Sequence, residues 1–232
     1  MLPGRQESWR RDPRAGALVI VVGAGLAGFV ALGVMLLAIP AFVELDEAAS
    51  AAIRSIDLPG LVPFAKFATW VGSFWPMAAI TAATALVYLV RGRRTTAIML
   101  TLAVLLGAGV ANALKLVFMR ERPDVIALIP SLESYSFPSG HAVASFVYFA
   151  MLGFLLMVHR RSLKRAFLGL VLCVLAAGAI ALSRVYLGVH FFYDAVGGWL
   201  LGIAWVAFVV LVGARWAAGR PEDDEVSGPA EA

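Results

Sequence analysis

Ser183-Arg184-Val185-Tyr186-Leu187-Gly188-Val189-His190-Phe191-Phe192-Tyr193-Asp194 lies between two charge-free runs, Ala166–Ser183 and Ala195–Ala214. Runs of 18 and 20 residues suit a bilayer span, which needs about 20. The stretch therefore reads as a polar turn joining two membrane helices at one face. Its polar groups suit phosphate chemistry. Arg184 is a permanent cation whose planar fork of donors matches phosphate oxygens. His190 and Asp194 are four apart, so they share a face and can meet if Asp194 opens the next helix. A carboxylate that accepts the proton of one imidazole nitrogen fixes the tautomer and leaves the other nitrogen bare, as nucleophile or base. The same stretch also fits a polar helix-end cluster that only anchors the chain at the interface.

Outward from this turn the pattern repeats. Ala15–Val43, Phe67–Val90, Thr95–Leu114 and Ala142–Val158 are also free of charge, giving six predicted spans. A secretory signal has an apolar core of only about 7–15 residues, so the 29 residues from Ala15 to Val43 read as a retained span. The predicted organisation is an N-terminal segment (1–14), a membrane domain (15–214) and an acidic, disordered tail (215–232). Glu44–Lys66 reads as an exposed connection. Within it Leu45, Ala49, Ala52, Ile53 and Ile56 recur at helical spacing opposite Asp46, Glu47, Arg54 and Asp57. That pattern predicts a short helix lying on the membrane surface or solvated above it. Trp75-Pro76 is a candidate kink.

Composition agrees. Of 232 residues, 61% are hydrophobic and 15% charged, and mean hydropathy is +0.87. Soluble domains are nearer half apolar and a quarter charged. The net charge of +4 does not point to nucleic acid, because the basic residues cluster between apolar runs. Cys173, the one cysteine, lies inside an apolar run and excludes an internal disulfide or a Cys-based metal site.

Two further motifs precede the turn in order. Lys115-x6-Arg122-Pro123 comes first, then Pro138-Ser139-Gly140-His141. Together with Ser183-Arg184-x5-His190-x3-Asp194 they resemble the signature of the type 2 phosphatidic acid phosphatase superfamily, the lipid phosphate phosphatases related to vanadium haloperoxidases. Every signature position is filled, and the motifs cover about a third of the chain.

The residue chemistry fits that resemblance. Displacement at a phosphate ester needs cations on the oxygens, an in-line nucleophile and an acid for the leaving oxygen. Lys115, Arg122 and Arg184 supply charge. Lys115 and Arg122 are two helical turns apart and share a face if their helix persists to Pro123. Ser139 and Gly140 precede a span, and a helix N-terminus presents free amides to an anion. Capping alone would also explain Ser139. The resemblance implies that His190 attacks phosphorus to form a phosphohistidine, that Asp194 orients it, and that His141 protonates the leaving oxygen and then activates water. It implies no metal and no cofactor. His159, in a basic cluster, has no predicted catalytic role.

Basic residues also set the expected sidedness. With the N-terminus in the cytoplasm, 13 fall in cytoplasmic segments and 6 on the opposite side. All three motifs then gather on the non-cytoplasmic face. The sequence thus predicts an all-α, six-helix integral membrane bundle of the bacterial cell membrane with its site facing outward. The expected activity is hydrolysis of a lipid phosphate or diphosphate, undecaprenyl diphosphate first. Phosphatidic acid, phosphatidylglycerophosphate and diacylglycerol pyrophosphate are alternatives, as is phosphoryl transfer to another lipid. Transporters of charged solutes carry ionisable groups near mid-bilayer, and the six runs contain none. Tyr186 and Tyr193 flank the site. Val125, Ile126, Leu128 and Ile129 either cover the lipid chain or dip into the headgroup layer.

Overall fold

Pro40 interrupts the first apolar run, because a proline ring carries no amide to continue the helical ladder. In the computed structural model, which describes residues 13–130, 134–159 and 162–218, helix α1 (Pro13–Ala38) stops just before it, and α2 (Pro40–Arg54) starts on it. Six helices follow: α3 (Leu61–Val71), α4 (Phe74–Val90), α5 (Arg94–Phe118), α6 (Gly140–Val158), α7 (Leu163–Tyr186) and α8 (Phe192–Ala218). The predicted tail (215–232) begins inside α8, which runs on to Ala218, and its remainder from residue 219, the N-terminal basic residues before Pro13, and Arg160 and Arg161 lie outside the described residues.

Five helices, α1, α5, α6, α7 and α8, are each long and apolar enough to cross a bilayer. The remaining predicted span is α3 and α4 together, bent by 59°. The chain is an all-helical integral membrane protein with six spans if that bent pair counts as one. The bend sits at Gly72-Ser73, ahead of Trp75-Pro76, and Pro76 lies harmlessly in the first turn of α4. Gly72 is needed for contact. A Cβ there would collide with Ile180 Cγ2 of α7 and come within 3.2 Å of His141 Cδ2.

The helix predicted within 44–66 forms as α2, but its polar side is divided: Glu47 is exposed as expected and Asp46 is not. Asp46 and Ser50 of α2 are fully buried, while Leu45 is more than half exposed. The helical spacing was legible. Which face turns inward was decided by partners distant in sequence, described below.

The core lies among α1, α5, α6 and α8, around Phe29, Leu100, Val143, Val147 and Leu201. Phe137 pins the segment before α6. It stacks on Phe29 at 5.4 Å and meets Phe118 edge-on at 4.9 Å. Small residues bring α8 against the start of α6. A Cβ on Gly198 would stand 2.8 Å from Ala142 Cβ and 3.0 Å from the Ser139 carbonyl oxygen.

Candidate active site

Four segment ends meet at one end of the bundle. They are the C-terminus of α5 with Lys115, the N-terminus of α6 with Ser139 to His141, the C-terminus of α7 with Arg184, and the α7–α8 turn with His190. Lys115, Arg122, Gly140, His141, Arg184 and His190 line one cavity of about 510 Å³. Asp194 and Ser139 are fully buried beside it.

The histidine–carboxylate pair forms. Asp194 Oδ2 lies 3.1 Å from His190 Nδ1 and also accepts the Phe191 amide at 2.9 Å. Nε2 of His190 is left toward the cavity, with Arg122 Nη1 3.4 Å away. Burial lowers the pKa of His190 from 6.5 to about 4, against the opposing pull of Asp194, so the ring is neutral at pH 7.

Arg122 reaches the site by a different route from the one its spacing suggested. Helix α5 ends at Phe118. Met119 takes up the left-handed conformation at φ 45°, and its amide returns to the Lys115 carbonyl. Arg122 is therefore on a loop. It is fixed by donating from Nε to the Ser134 carbonyl (2.8 Å) and from Nη1 to the Val189 carbonyl (2.6 Å). Burial lowers its pKa. Lys115 Nζ donates to the Tyr135 carbonyl at 2.6 Å. Arg184 Nη1 donates to Thr69 Oγ1 at 2.6 Å, and its buried Nε has no protein partner.

These three cations thus rest on neutral oxygens. Among the described residues no carboxylate forms an ion pair with any of them. A buried charge without an ion-pair partner is costly, and buried Lys115 and Arg184 with half-buried Arg122 around one cavity suit a bound anion.

Ser139 does not act as a capping side chain. It occupies the N-cap position of α6 without a side-chain capping bond, and its buried Oγ has no partner. Its amide donates to the Asp194 carbonyl at 3.0 Å. The predicted pair of anion-binding amides therefore loses its Ser139 member, and the backbone part falls to Gly140 and the turn after it. His141 packs its ring edge toward Gly72. His159 sits at the far end of α6, with Nδ1 3.0 Å from the Leu155 carbonyl. Among the described residues no group of three or more His, Cys, Asp or Glu side chains gathers as a metal site.

Several contributors escaped the sequence reading. Arg120 bridges Asp194 Oδ1 at 2.8 Å and Asp46 Oδ2 at 2.7 Å. Ser136 Oγ lies 3.5 Å from Asp194 Oδ1. Thr69 holds Arg184. Asp46 and Ser50, four apart on a helix that also carries Glu44, Glu47 and Arg54, read equally well as part of a solvated stripe.

This helical membrane bundle collects at one polar end three cations without an ion-pair partner among the described residues, a carboxylate-tied histidine and a second histidine. The sequence pattern of the PAP2 superfamily matches residues 96–217. The chain belongs to that superfamily. Among curated proteins it is 36% identical over 85 residues to phosphatidylglycerophosphatase B of Bacillus subtilis (strain 168), covering 36% of this chain and 41% of that protein. It is 30% identical over 131 residues to undecaprenyl-diphosphatase of Sulfolobus acidocaldarius, covering 54% and 59%. The matched regions thus span about half the length of these relatives. Among solved structures, the transmembrane PAP2-type phosphatidylglycerolphosphate phosphatase of Bacillus subtilis superimposes with a TM-score of 0.74 at 26% identity, covering 84% of this chain and 96% of that one. Aquifex aeolicus LpxE shares the fold, with a TM-score of 0.56 at 24% identity over 72% of this chain and 94% of that one.

Proposed function

We propose that this protein hydrolyses a phosphate from a membrane lipid phosphate or diphosphate through a phosphohistidine. The observation that carries the proposal is the set of three carboxylate-free cations around a cavity into which His190 presents Nε2. Lys115, Arg122 and Arg184 neutralise the phosphoryl oxygens, and the Gly140 end of α6 adds its amides. The Nε2 lone pair forms the P–N bond as the P–O bond to the leaving group breaks, and His141 gives that oxygen its proton. His141 then takes a proton from water, whose oxygen attacks phosphorus. The P–N bond breaks, and inorganic phosphate leaves. Asp194 keeps the Nδ1 proton in place throughout. The charges that do this work belong to side chains, so activity survives excess chelator and falls with orthovanadate.

A lipid substrate is supported by the shape of the cavity. Beyond the polar end it continues between α4, α5 and α6 along Phe74, Met77, Val104, Leu105 and Ala144. A chain entering laterally from the bilayer would lie there. A diphosphate offers the three cations more negative oxygen than a monoester and a better leaving group, which puts undecaprenyl diphosphate first. Similarity to relatives named for phosphatidylglycerophosphate and for undecaprenyl diphosphate supports both headgroup classes. The basic residues favour a cytoplasmic N-terminus and a site on the outer face of a bacterial cell membrane.

The test is phosphate release from purified lipid phosphates in mixed micelles. Undecaprenyl or farnesyl diphosphate should exceed phosphatidic acid and phosphatidylglycerophosphate in kcat/KM. His190→Ala should abolish both turnover and acid-labile phosphoenzyme. A phosphoenzyme that persists in His190→Ala would overturn the mechanism. A tenfold preference for a glycerophospholipid, about 1.4 kcal/mol in the barrier, would reassign the substrate.

A further inference from the structure

Arg120 is handled differently from the other cations at this end of the bundle. Its side chain is 11% exposed and lies between two fully buried carboxylates, Asp194 at 2.8 Å and Asp46 at 2.7 Å. Its guanidinium also covers the Phe191 ring, 4.2 Å from the centroid. Asp46 does a second job with its other oxygen, which accepts the Tyr193 amide at 2.8 Å. One turn further along α2, Ser50 Oγ accepts the Phe192 amide at 2.8 Å while donating to the Asp46 carbonyl at 2.7 Å. With Asp194 taking the Phe191 amide at 2.9 Å, three successive amides at the head of α8 all end on side-chain oxygens. Two of those oxygens come from α2.

The consequence for Asp194 is geometric. One of its oxygens is committed to His190 and the Phe191 amide, the other to Arg120. The carboxylate cannot turn without breaking a charge-assisted bond. Arg120 in turn cannot turn, because Asp46 holds its other nitrogen and Phe191 lies under its plane. This chain of contacts runs from α2 to Nδ1 of His190 without touching the cavity: neither Asp46 nor Arg120 lines it.

We infer that Arg120 and Asp46 are positioning residues for phosphoryl transfer. Arg120 fixes the plane of Asp194 and offsets part of its charge, and Asp46, presented by α2, holds Arg120 and the head of α8. The inference rests on the proposed phosphohistidine mechanism for its kinetic consequences. It also makes a claim about His190 that needs no substrate. His190 is faced by Asp194 from α8, Arg184 from α7, Arg122 from its loop and His141 from α6, with Lys115 of α5 in the same cavity. Removing the cation behind Asp194 leaves a fuller negative charge against Nδ1 and favours protonated His190.

The first test is therefore spectroscopic. The protein has 3 histidines, so ¹⁵N-histidine NMR of the full chain in detergent resolves them, with His190→Gln as the assignment control. Arg120→Gln should raise the titration midpoint of His190 by about one pH unit. An unchanged midpoint overturns the inference, whatever the enzyme proves to hydrolyse.

The second test is kinetic. Asp46→Asn keeps an acceptor for the Tyr193 amide but sets an NH₂ group against Arg120. It should lower the single-turnover rate of phosphoenzyme formation by roughly 10- to 100-fold with little change in KM, the pattern of a lost transition-state interaction. Arg120→Lys keeps the charge, loses the fork and should fall between wild type and Arg120→Gln. If Arg120→Gln aggregates, Asp46→Asn and Arg120→Lys decide. Wild-type rates in both overturn the inference. So does a smaller burst with an unchanged rate per labelled site, which would mean only fewer folded molecules. Wild-type protein that forms no phosphoenzyme would sink the proposed mechanism and leave the NMR result to stand or fall alone.

Discussion

Exchanging Asp194 for Asn changes one atom and sets donors against donors. The carboxylate serves four groups: His190 Nδ1 (3.1 Å) and the Phe191 amide (2.9 Å) on Oδ2, Arg120 (2.8 Å) and Ser136 Oγ (3.5 Å) on Oδ1. An amide has only one acceptor oxygen. If its NH₂ replaces Oδ2, it confronts the Phe191 N–H and forces His190 to accept at Nδ1. The imidazole proton then sits on Nε2, the atom that attacks in the proposed mechanism. If the NH₂ replaces Oδ1, it confronts Arg120. The first arrangement strips the Phe191 amide of its acceptor and abolishes the charge-assisted bond from Nδ1–H; the second strips Arg120 of its acceptor and leaves Nδ1–H only a neutral one. Hydrogen bonds involving a charged group contribute about 1.5–3 kcal/mol each. Losing two costs roughly 3–6 kcal/mol, which is roughly 10²–10⁴ in rate if expressed in the transition state. The same exchange in a Ser-His-Asp triad costs about 10⁴, so the upper part of the range is expected. The assay is single-turnover labelling from ³²P-lipid phosphate in mixed micelles, with gel filtration to verify folding. A well-folded variant that loses less than tenfold would refute the assignment of Asp194 as the group that sets the tautomer.

Four further predictions test other links. With the His190 pKa near 4, phosphoenzyme formation should not slow through this group between pH 7 and pH 5, whereas an unshifted imidazole would cost roughly thirtyfold. The same depressed value means the unfolded chain takes up the His190 proton first, so stability should fall as pH drops from 6.5 toward about 4. A thermal melt series on wild type and His190→Gln, in which the variant loses less, checks this. Gly72→Ala places a methyl against Ile180 and His141 and should lower kcat more than it lowers Tm; equal turnover would mean the elbow gives way freely. In a Cys173→Ala background, Asp124→Cys should react with an impermeant thiol reagent outside intact cells, and labelling only after lysis would invert the topology.

The sequence carried the motif chemistry because local spacing suffices for it. His190 and Asp194 are one helical turn apart and meet as expected. The spans were legible because hydropathy marks depth. What hydropathy cannot mark is which side of a mixed helix turns inward. Asp46 looked solvated because its partner Arg120 is 74 residues away and Tyr193 is 147 away. Lys115 and Arg122 would share a face only on a helix persisting to Pro123; it ends at Phe118, although nothing in Phe118-Met119-Arg120 resembles a helix stop. Met119 closes the helix in a left-handed C-cap without being glycine, its amide returning to the Lys115 carbonyl, so no local residue type announces the stop. The kink expected at Trp75-Pro76 occurs a little earlier in the same span, because Gly72-Ser73 interrupts the apolar run without adding charge.

That elbow also bears on how the site stays wet. A helix that stops inside a bilayer leaves carbonyls and amides without partners, and hydrocarbon supplies none. The Gly72 amide returns to Ala68 and the Ser73 amide to Trp70, but the ladder between α3 and α4 is not closed. Such a gap is tolerated where it borders protein or a hydrated chamber. Gly72 and Ser73 both line the cavity, and Gly72 backs onto the ring edge of His141. The break therefore sets polar backbone at the cavity wall beside the ring that, in the proposed mechanism, activates water. Straightening the α3–α4 pair into one unbroken helix would take these two backbone groups out of the cavity wall.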